Sequence, residues 1–436
     1  MKPEEVFKRY DIRGEYPGEI NEEFARRLGQ AIGSFTQNNC GKRVVVGRDN
    51  KESSITLKQA LIEGLKSAGI EVLDAGEGAT DYVAFSGAVE EAVSVQVTAS
   101  HLPLNFNGFK LMYSEGNGFV NEDLEKVKDI FRSEAFKQES GAVEDIETRC
   151  KDRYREEIKK AAREYSKGLF DKKIVVDTLG GAATGLLPKL LRDLGAEVID
   201  ISEEKEEFPY RDPPNPKPEN LEELKSCVEE ENADLGLATD MDADRVTVYS
   251  GSFISGDDLF SILANRVTGD IVASIDTSQA VEDAAASRES RIYYTRVGDP
   301  FVMDKALEVD ASLAGEPNGH YSVLEFVPYN SGTLTALIVA GLDLEKDLEE
   351  VPAYSVRRES MEVDDKEESM ILAKEEIEKD YEVLSKIDGV KALIEGAEVL
   401  IRPSGSSPKI RVISEAEDGE IAEKGLEAAL DILRKA

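Results

Sequence analysis

Asp240, Asp242 and Asp244 stand at alternate positions in the stretch ATDMDADRVTV (238–248). Three carboxylates brought together repel one another by roughly several kcal/mol unless a cation sits among them. Hard oxygen ligands at this spacing suit Mg2+ or Ca2+. A calcium EF-hand loop is excluded, because its sixth position is Arg245 instead of Gly and its twelfth is Gly251 instead of Glu. Arg245, directly after the acids, suits a phosphate that meets the metal. The plainer alternative is a solvated acidic turn.

Three further loops carry chemistry. TASHLPLNFNGFK (98–110) puts Ser100 at a strand exit, where a hydroxyl can act as nucleophile or phosphate carrier. Asn107-Gly108 predicts a tight turn that returns Lys110 towards Ser100 to neutralise phosphate. AGEPNGHYS (314–322) offers Glu316, Asn318 and His320, of which Glu and Asn are good partners for vicinal sugar hydroxyls. RPSGSSPKIRV (402–412) combines Arg402 with Ser404, Gly405, Ser406 and Ser407. Guanidinium, hydroxyls and exposed N–H groups there form a phosphate cradle, with Lys409 and Arg411 adding charge. It lacks the G-x-x-x-x-G-K-[ST] pattern of a Walker A loop. The chain has two histidines, His101 and His320, and both fall in these loops. Histidine titrates near neutrality and suits proton transfer.

The elements that must position these loops alternate between strand and helix. RVVVG (43–47) reads as a strand and 53–69 as a helix. EVLDAG and AVSVQVT read as strands, and 172–201 as strand, Gly-rich turn, helix and strand. The rhythm runs through residue 287 and predicts α/β layers with mixed or parallel sheets. Residues 133–168 are highly charged and helix-prone, and read as a carrier between domains. FPYRDPPNPKPEN (208–220) reads as an irregular connection. Residues 345–368 read as a polar lead-in to a last small unit of helix (366–384), strand pair (391–401), strand (409–415) and helix (418–434).

At 436 residues the chain is too long for one core. No apolar run approaches the roughly 18 residues of a membrane span, and MKPEEVFKRY is unlike a signal peptide. Cys40, Cys150 and Cys227 lie far apart, which fits free thiols in a reducing cytoplasm better than a disulfide framework. The net charge of −36 argues against nucleic acid as a partner. It is also open to a reading as adaptation to a salty cytoplasm, against which stands the excess of lysine over arginine. An acidic protein that handles phosphate needs local positive charge to overcome its own field, so the placement of single basic residues such as Lys110, Arg245 and Arg402 in these loops bears on function.

The four loops, in this order, resemble the α-D-phosphohexomutase superfamily, which includes phosphomannomutase/phosphoglucomutase and phosphoglucosamine mutase. FKRYDIRGEYPGEI (7–20) looks like the family's opening segment. TASHLPLNFNGFK is similar to its phosphoserine loop, DMDADR to its metal loop, GEPNGH to its sugar-binding loop and RPSGSSP to its phosphate-binding loop. The resemblance implies three related α/β domains with mixed sheets, plus a smaller α+β C-terminal domain, around a central cleft. The implied bounds are 1–150 (phosphoserine loop), 151–252 (metal loop), 253–354 (sugar loop) and 355–436 (phosphate loop).

By the same resemblance Ser100 carries the phosphate. One Mg2+ is held by Asp240, Asp242, Asp244 and the Ser100 phosphate. Arg245 steadies the transferring group. Glu316 and Asn318 read the sugar, while Arg402, Ser404, Gly405 and Ser406 hold the other phosphate, with Arg411 beside them. Tyr10, Arg13, His101, Lys110 and His320 line the site. The implied activity interconverts hexose 6-phosphate and hexose 1-phosphate, of mannose or glucose, in the cytoplasm. It uses a hexose 1,6-bisphosphate activator and a monomeric or homodimeric enzyme, with no nucleic acid or membrane partner. Phosphoglucosamine mutase is the alternative, a non-catalytic sugar-phosphate sensor a more distant one. An aspartate-nucleophile phosphatase fits Asp240 and Asp242 but leaves three loops without a role. Departures from the family pattern are Leu102 for Asn, Asn318 for the Ser of many bacterial mutases, Ser406-Ser407 for Thr-Glu, Thr277 for a lysine, and YNSG (329–332) for an acidic stretch.

Overall fold

The first sheet is built from β1 (Ile12–Glu15), β2 (Arg43–Arg48), β3 (Glu71–Glu77), β4 (Val93–Val97), β5 (Phe106–Met112) and β6 (Val143–Asp145), in the order β1-β5-β4-β2-β3-β6. β2 runs parallel to β3 and β4, and β5 runs antiparallel to both β4 and β1. The β-branched run Val44–Val46 is fully buried in it, as β-branched side chains prefer. Leu28 and Ile32 of the helix Glu22–Asn39, Leu61 of the helix Glu52–Ser67, and Val95 and Phe109 of the sheet close one core. The computed structural model describes residues 3–202, 211–405 and 408–435.

The second sheet contains β7 (Lys173–Asp177), β8 (Glu197–Asp200), β9 (Leu235–Thr239), β10 (Val246–Ser250) and β11 (Ser252–Phe253), in the order β11-β10-β9-β7-β8. β7 is parallel to β8 and β9, and β10 turns back antiparallel to β9. That reversal makes the turn that holds the three aspartates. Further on, β12 (Ile271–Ser274) lies between β13 (Ile292–Thr295) and β14 (Leu313–Glu316), parallel to both. β15 (His320–Val323) follows, and then the helix Gly332–Ala340, all of whose residues are buried. The last sheet has the order β16-β20-β19-β18-β17, antiparallel throughout. Its strands are β16 (Ser355–Glu362), β17 (Glu382–Ser385), β18 (Val390–Ile394), β19 (Ala397–Pro403) and β20 (Lys409–Ala416).

By packing, the chain divides into two units: Met1–Ile254 with Asn318–Glu345, and Ser255–Pro317 with Lys346–Ala436. No helix among the described residues is long and apolar enough to cross a membrane.

The structure differs from expectation at four places. Asn107 and Gly108 are not a turn but part of β5, with Gly108 opposite Arg13 of β1. A Cβ on Gly108 would stand 2.3 Å from the Ile12 carbonyl oxygen and 2.9 Å from that of Thr98, so glycine is required for strand packing. Residues 133–168 hold β6 and the helix Glu147–Tyr165, whose buried Cys150, Tyr154 and Ile158 form an apolar stripe that its charges masked. The lead-in 345–368 contains β16, an outer strand whose largely exposed face explains its polar sequence. The helix expected over 366–384 stops at Asp380, and β17 takes over with Val383 packed on the core. Residues 208–210 of the proline-rich connection lie outside the described residues. Its remainder includes one short turn, Pro218–Asn220.

Candidate active site

The turn after β9 buries Asp240, Asp242 and Asp244, with one carboxylate oxygen of each within 4.8 Å of the others. Ala243 between them has φ +57°, a left-handed conformation that a non-glycine residue adopts only where its surroundings enforce it. Those surroundings are close. A Cβ at Gly181 would stand 2.7 Å from the carbonyl oxygens of Asp240 and Met241, and one at Gly332 would stand 2.2 Å from that of Arg245. Ala182 N–H donates to Met241 O at 2.7 Å, and Gly332 N–H to Ala243 O at 3.0 Å.

Ser100 follows β4, also left-handed at φ +51°, and is 1% exposed. Its N–H donates to Thr98 Oγ1 at 2.9 Å, which fixes the turn. Its Oγ donates to Asp240 Oδ2 at 3.0 Å and lies 3.2 Å from His101 Nδ1. Lys110 reaches the same place from β5, pairing in register with Gln96. Lys110 Nζ lies 2.7 Å from Asp242 Oδ2 and 2.5 Å from Asp244 Oδ2. His320, at the start of β15, places Nε2 3.2 Å from Asp244 Oδ1 and 2.9 Å from Arg245 Nε. One tautomer donates to Asp244 and the other accepts from Arg245, so this nitrogen sits where its proton can be given or taken. Asn318, exposed in the preceding turn, accepts from His320 N–H at 3.2 Å.

Arg13 is partly buried in β1 and paired with Asp11 at 2.6 Å, with the charges of Asp242 and Asp244 acting on it. Tyr10, half-buried before β1, also acts on Arg13. Ser100, His101, Lys110, Arg13, the three aspartates, Arg245 and His320 thus share one neighbourhood within the first unit.

The electrostatics follow from burial. Burial and then the charges of Asp244 and Asp242 push the Asp240 carboxyl well above the usual range. At Asp244 burial acts the same way, but Lys110 and His320 outweigh it and hold the group well below that range. Burial works against the Lys110 ammonium, yet Asp242 and Asp244 more than compensate and raise its pKa. Burial, then Arg245 and Arg13, pushes His101 down to about 2, so its ring is neutral. Asp242 Oδ1 is buried and has no hydrogen-bond partner among the described residues. A buried carboxylate oxygen without a partner, in a set of three acids, fits a divalent cation with oxygen preference.

Residues that the sequence reading missed shape this site. Thr80 Oγ1 donates to Asp242 Oδ2 at 2.7 Å, and Thr80 N–H to Asp242 O at 3.0 Å. Asn50 Nδ2 donates to the carbonyls of Gly180 and Gly181, the latter lying against the turn of the three aspartates. None belongs to a recognisable motif; the Gly-rich turn 179–185 was visible, but not what it packs against.

The second unit holds the other expected residues. Glu316 ends β14, 3% exposed, and accepts from Gly298 N–H at 2.8 Å. Arg402 of β19 is 4% exposed and lies 3.7 Å from Asp276 and 3.6 Å from Asp388. Ser404 is buried, and its carbonyl accepts from Lys366 Nζ at 2.6 Å. Gly405 is exposed, and Arg411 of β20 pairs across from Arg402. Ser406 and Ser407 lie outside the described residues.

Sequence comparison matches four successive family descriptions. Phosphoglucomutase/phosphomannomutase alpha/beta/alpha domain I matches residues 4–138, domain II 152–252, domain III 255–356 and the C-terminal domain 360–432. A probable phosphoglucosamine mutase of Methanopyrus kandleri is 32% identical over 447 residues, covering 97% of this chain and 96% of its own. A phosphoglucomutase/phosphomannomutase of Thermococcus kodakarensis is 33% identical over 459 residues, covering 99% of each. Among solved structures, a phosphoglucomutase/phosphomannomutase family protein from Burkholderia thailandensis superposes with a TM-score of 0.87 at 25% identity. That match covers 100% of this chain and 98% of the other.

Proposed function

Because the chain belongs to the phosphoglucomutase/phosphomannomutase family, and so is a phosphohexomutase and an isomerase of carbohydrate metabolism, we propose that it interconverts the 6- and 1-phosphates of mannose or glucose. The reading assigns the work to four domains, 1–150, 151–252, 253–354 and 355–436. The observation that carries it is the 3.0 Å contact between the Ser100 hydroxyl and Asp240 at the edge of the acidic set.

Phosphorylated Ser100 donates its phosphoryl group to the free sugar hydroxyl. The Ser100 Oγ–P bond breaks as the sugar O–P bond forms, and the hydroxyl proton passes to His320. The resulting bisphosphorylated sugar turns over; its other sugar O–P bond breaks as the Ser100 Oγ–P bond re-forms, and the freed sugar oxygen takes the proton back from His320. Asp240, Asp242, Asp244 and the Ser100 phosphate would hold Mg2+, which when bound draws negative charge from the phosphoryl oxygens. Lys110, ion-paired with two carboxylates, stays an ammonium and supplies charge instead of acting as the base. Arg245 and Arg13 add positive charge, and neutral His101 keeps a ring nitrogen beside the Ser100 oxygen. Glu316 and Asn318 read the sugar hydroxyls. Arg402, Ser404, Gly405 and Ser406 take the phosphate that does not react, with Arg411 next to them.

Phosphoglucosamine mutase is the second reading, favoured by the name of the Methanopyrus relative. An added amine or a moved hydroxyl changes selectivity by a few contacts. Coupled assays on mannose 1-phosphate, glucose 1-phosphate and glucosamine 6-phosphate, run side by side with Mg2+ and glucose 1,6-bisphosphate, separate the two. Turnover of the first two substrates above the third supports the proposal. Selective turnover of the amino sugar replaces it with the second reading.

A further inference from the structure

Two residues at the start of the helix Thr80–Val89 reach in different directions. Thr80 binds the metal loop at both the Asp242 side chain and its backbone carbonyl. Asp81, buried, accepts from Tyr82 N–H at 2.7 Å through Oδ1. Its Oδ2 accepts from Tyr154 Oη at 2.7 Å and from Ser331 Oγ. Ser331 is the N-cap of the helix Gly332–Ala340, with its Oγ accepting from Leu334 N–H at 2.9 Å. Its N–H donates to Tyr321 O at 2.9 Å, next to His320. The following residue, Gly332, donates to Ala243 O and lies against the Arg245 carbonyl.

The metal loop is therefore held from two sides by one dipeptide. Thr80 grips it at Asp242, and Asp81 holds the helix cap whose next residue, Gly332, bonds it at Ala243 and packs against the Arg245 carbonyl. We propose that Thr80 and Asp81 are positioning residues that keep the three aspartates in a geometry able to bind a divalent cation. Thr80 shares Asp242 Oδ2 with Lys110 and so helps to leave Oδ1 for the ion. Asp81, through Ser331 and Gly332, stops the left-handed turn at Ala243 from relaxing. Hydrogen-bond partners that orient metal ligands typically change affinity by about 10- to 100-fold when removed. The inference rests on the metal role of Asp240, Asp242 and Asp244.

The test is Mn2+ binding by the full-length protein, read as the loss of the free Mn2+ electron paramagnetic resonance signal, with no substrate present. Thr80→Val and Ser331→Ala are each expected to weaken binding about 10-fold. Tyr154→Phe removes one donor to Asp81 Oδ2 but keeps the Ser331 bond that carries the brace, and is expected to lower Tm while leaving Mn2+ affinity within about twofold of wild type. Should Ser331→Ala fold poorly through loss of its cap, Thr80→Val, which keeps side-chain shape, carries the test. Equal Mn2+ affinity in wild type and Thr80→Val overturns the brace and leaves the metal reading intact. A wild-type protein that binds no Mn2+ overturns both.

Discussion

The Ser100 hydroxyl donates to Asp240 across 3.0 Å, joining the loop after β4 to the turn after β9 over 140 residues of sequence. Both ends of this bond are buried and both turns hold a left-handed residue, Ser100 itself and Ala243. Most other left-handed non-glycine residues among those described lie at exposed turns, whereas Ser100 and Ala243 are packed inside the protein.

The acidic set predicts metal-dependent stability. Mg2+ should raise Tm beyond what NaCl of equal ionic strength does, by linkage to a site present only in the folded state, worth about 2.7 kcal/mol at 100 times Kd. Asp242→Asn should cut metal affinity at least about 10-fold and remove most of that rise. Calorimetry with and without Mg2+ checks this; an undiminished rise in the variant contradicts it.

His320 and Lys110 should separate by chemical rescue. His320→Ala is expected to lower kcat by about 10²-fold or more with KM little changed, and added imidazole should restore part of it. Lys110→Ala should lower kcat without any response to imidazole, because its ion pairs with Asp242 and Asp244 make its role one of charge. Rescue of the lysine variant alone by imidazole would reverse the assignment.

Arg402 should act on binding. Charge-assisted hydrogen bonds to phosphate contribute about 1.5–3 kcal/mol, so Arg402→Ala should raise KM for the sugar phosphate by about 10- to 100-fold, with a smaller effect on kcat. Steady-state kinetics decide. An unchanged KM removes Arg402 from the phosphate cradle.

Asp81 should make stability depend on pH. Burial pushes its carboxyl up from 3.8 to about 6, against the hydrogen bonds from Ser331 and Tyr154. The folded protein thus binds a proton more tightly than the unfolded chain does. The stabilisation is present below about pH 4 and is lost as pH rises through about 6, by about 3 kcal/mol. Urea unfolding between pH 4 and 7 should show wild type losing that much more than Asp81→Asn. Parallel curves for the two proteins would contradict it.

Much of this arrangement is legible in the sequence, and the reason differs by element. The three aspartates stand out because spacing and residue type limit their chemistry, whereas Ser100, a lone serine at a strand exit, stands out only through the resemblance of its whole loop. The β-branched run at 44–46 announced a buried strand. Gly108 misled, because Asn-Gly reads as a turn when only local preference is considered. Its actual demand is the approach of the Ile12 carbonyl, contributed by a strand nearly a hundred residues away. β16 hid behind its charges because an outer strand can leave much of its surface in water. Thr80 and Ser331 carry no motif at all; only the folded chain brings them to Asp242 and Asp81.

The most direct measurement is transfer of label from 32P-labelled glucose 1,6-bisphosphate to the protein, followed by peptide mapping. The account predicts acid-stable label on Ser100, released to a sugar monophosphate on chase, with Ser100→Ala unlabelled and mutase turnover down by about 10³-fold or more. Full turnover by Ser100→Ala, or acid-labile label on an aspartate of the 240–244 turn, would contradict it.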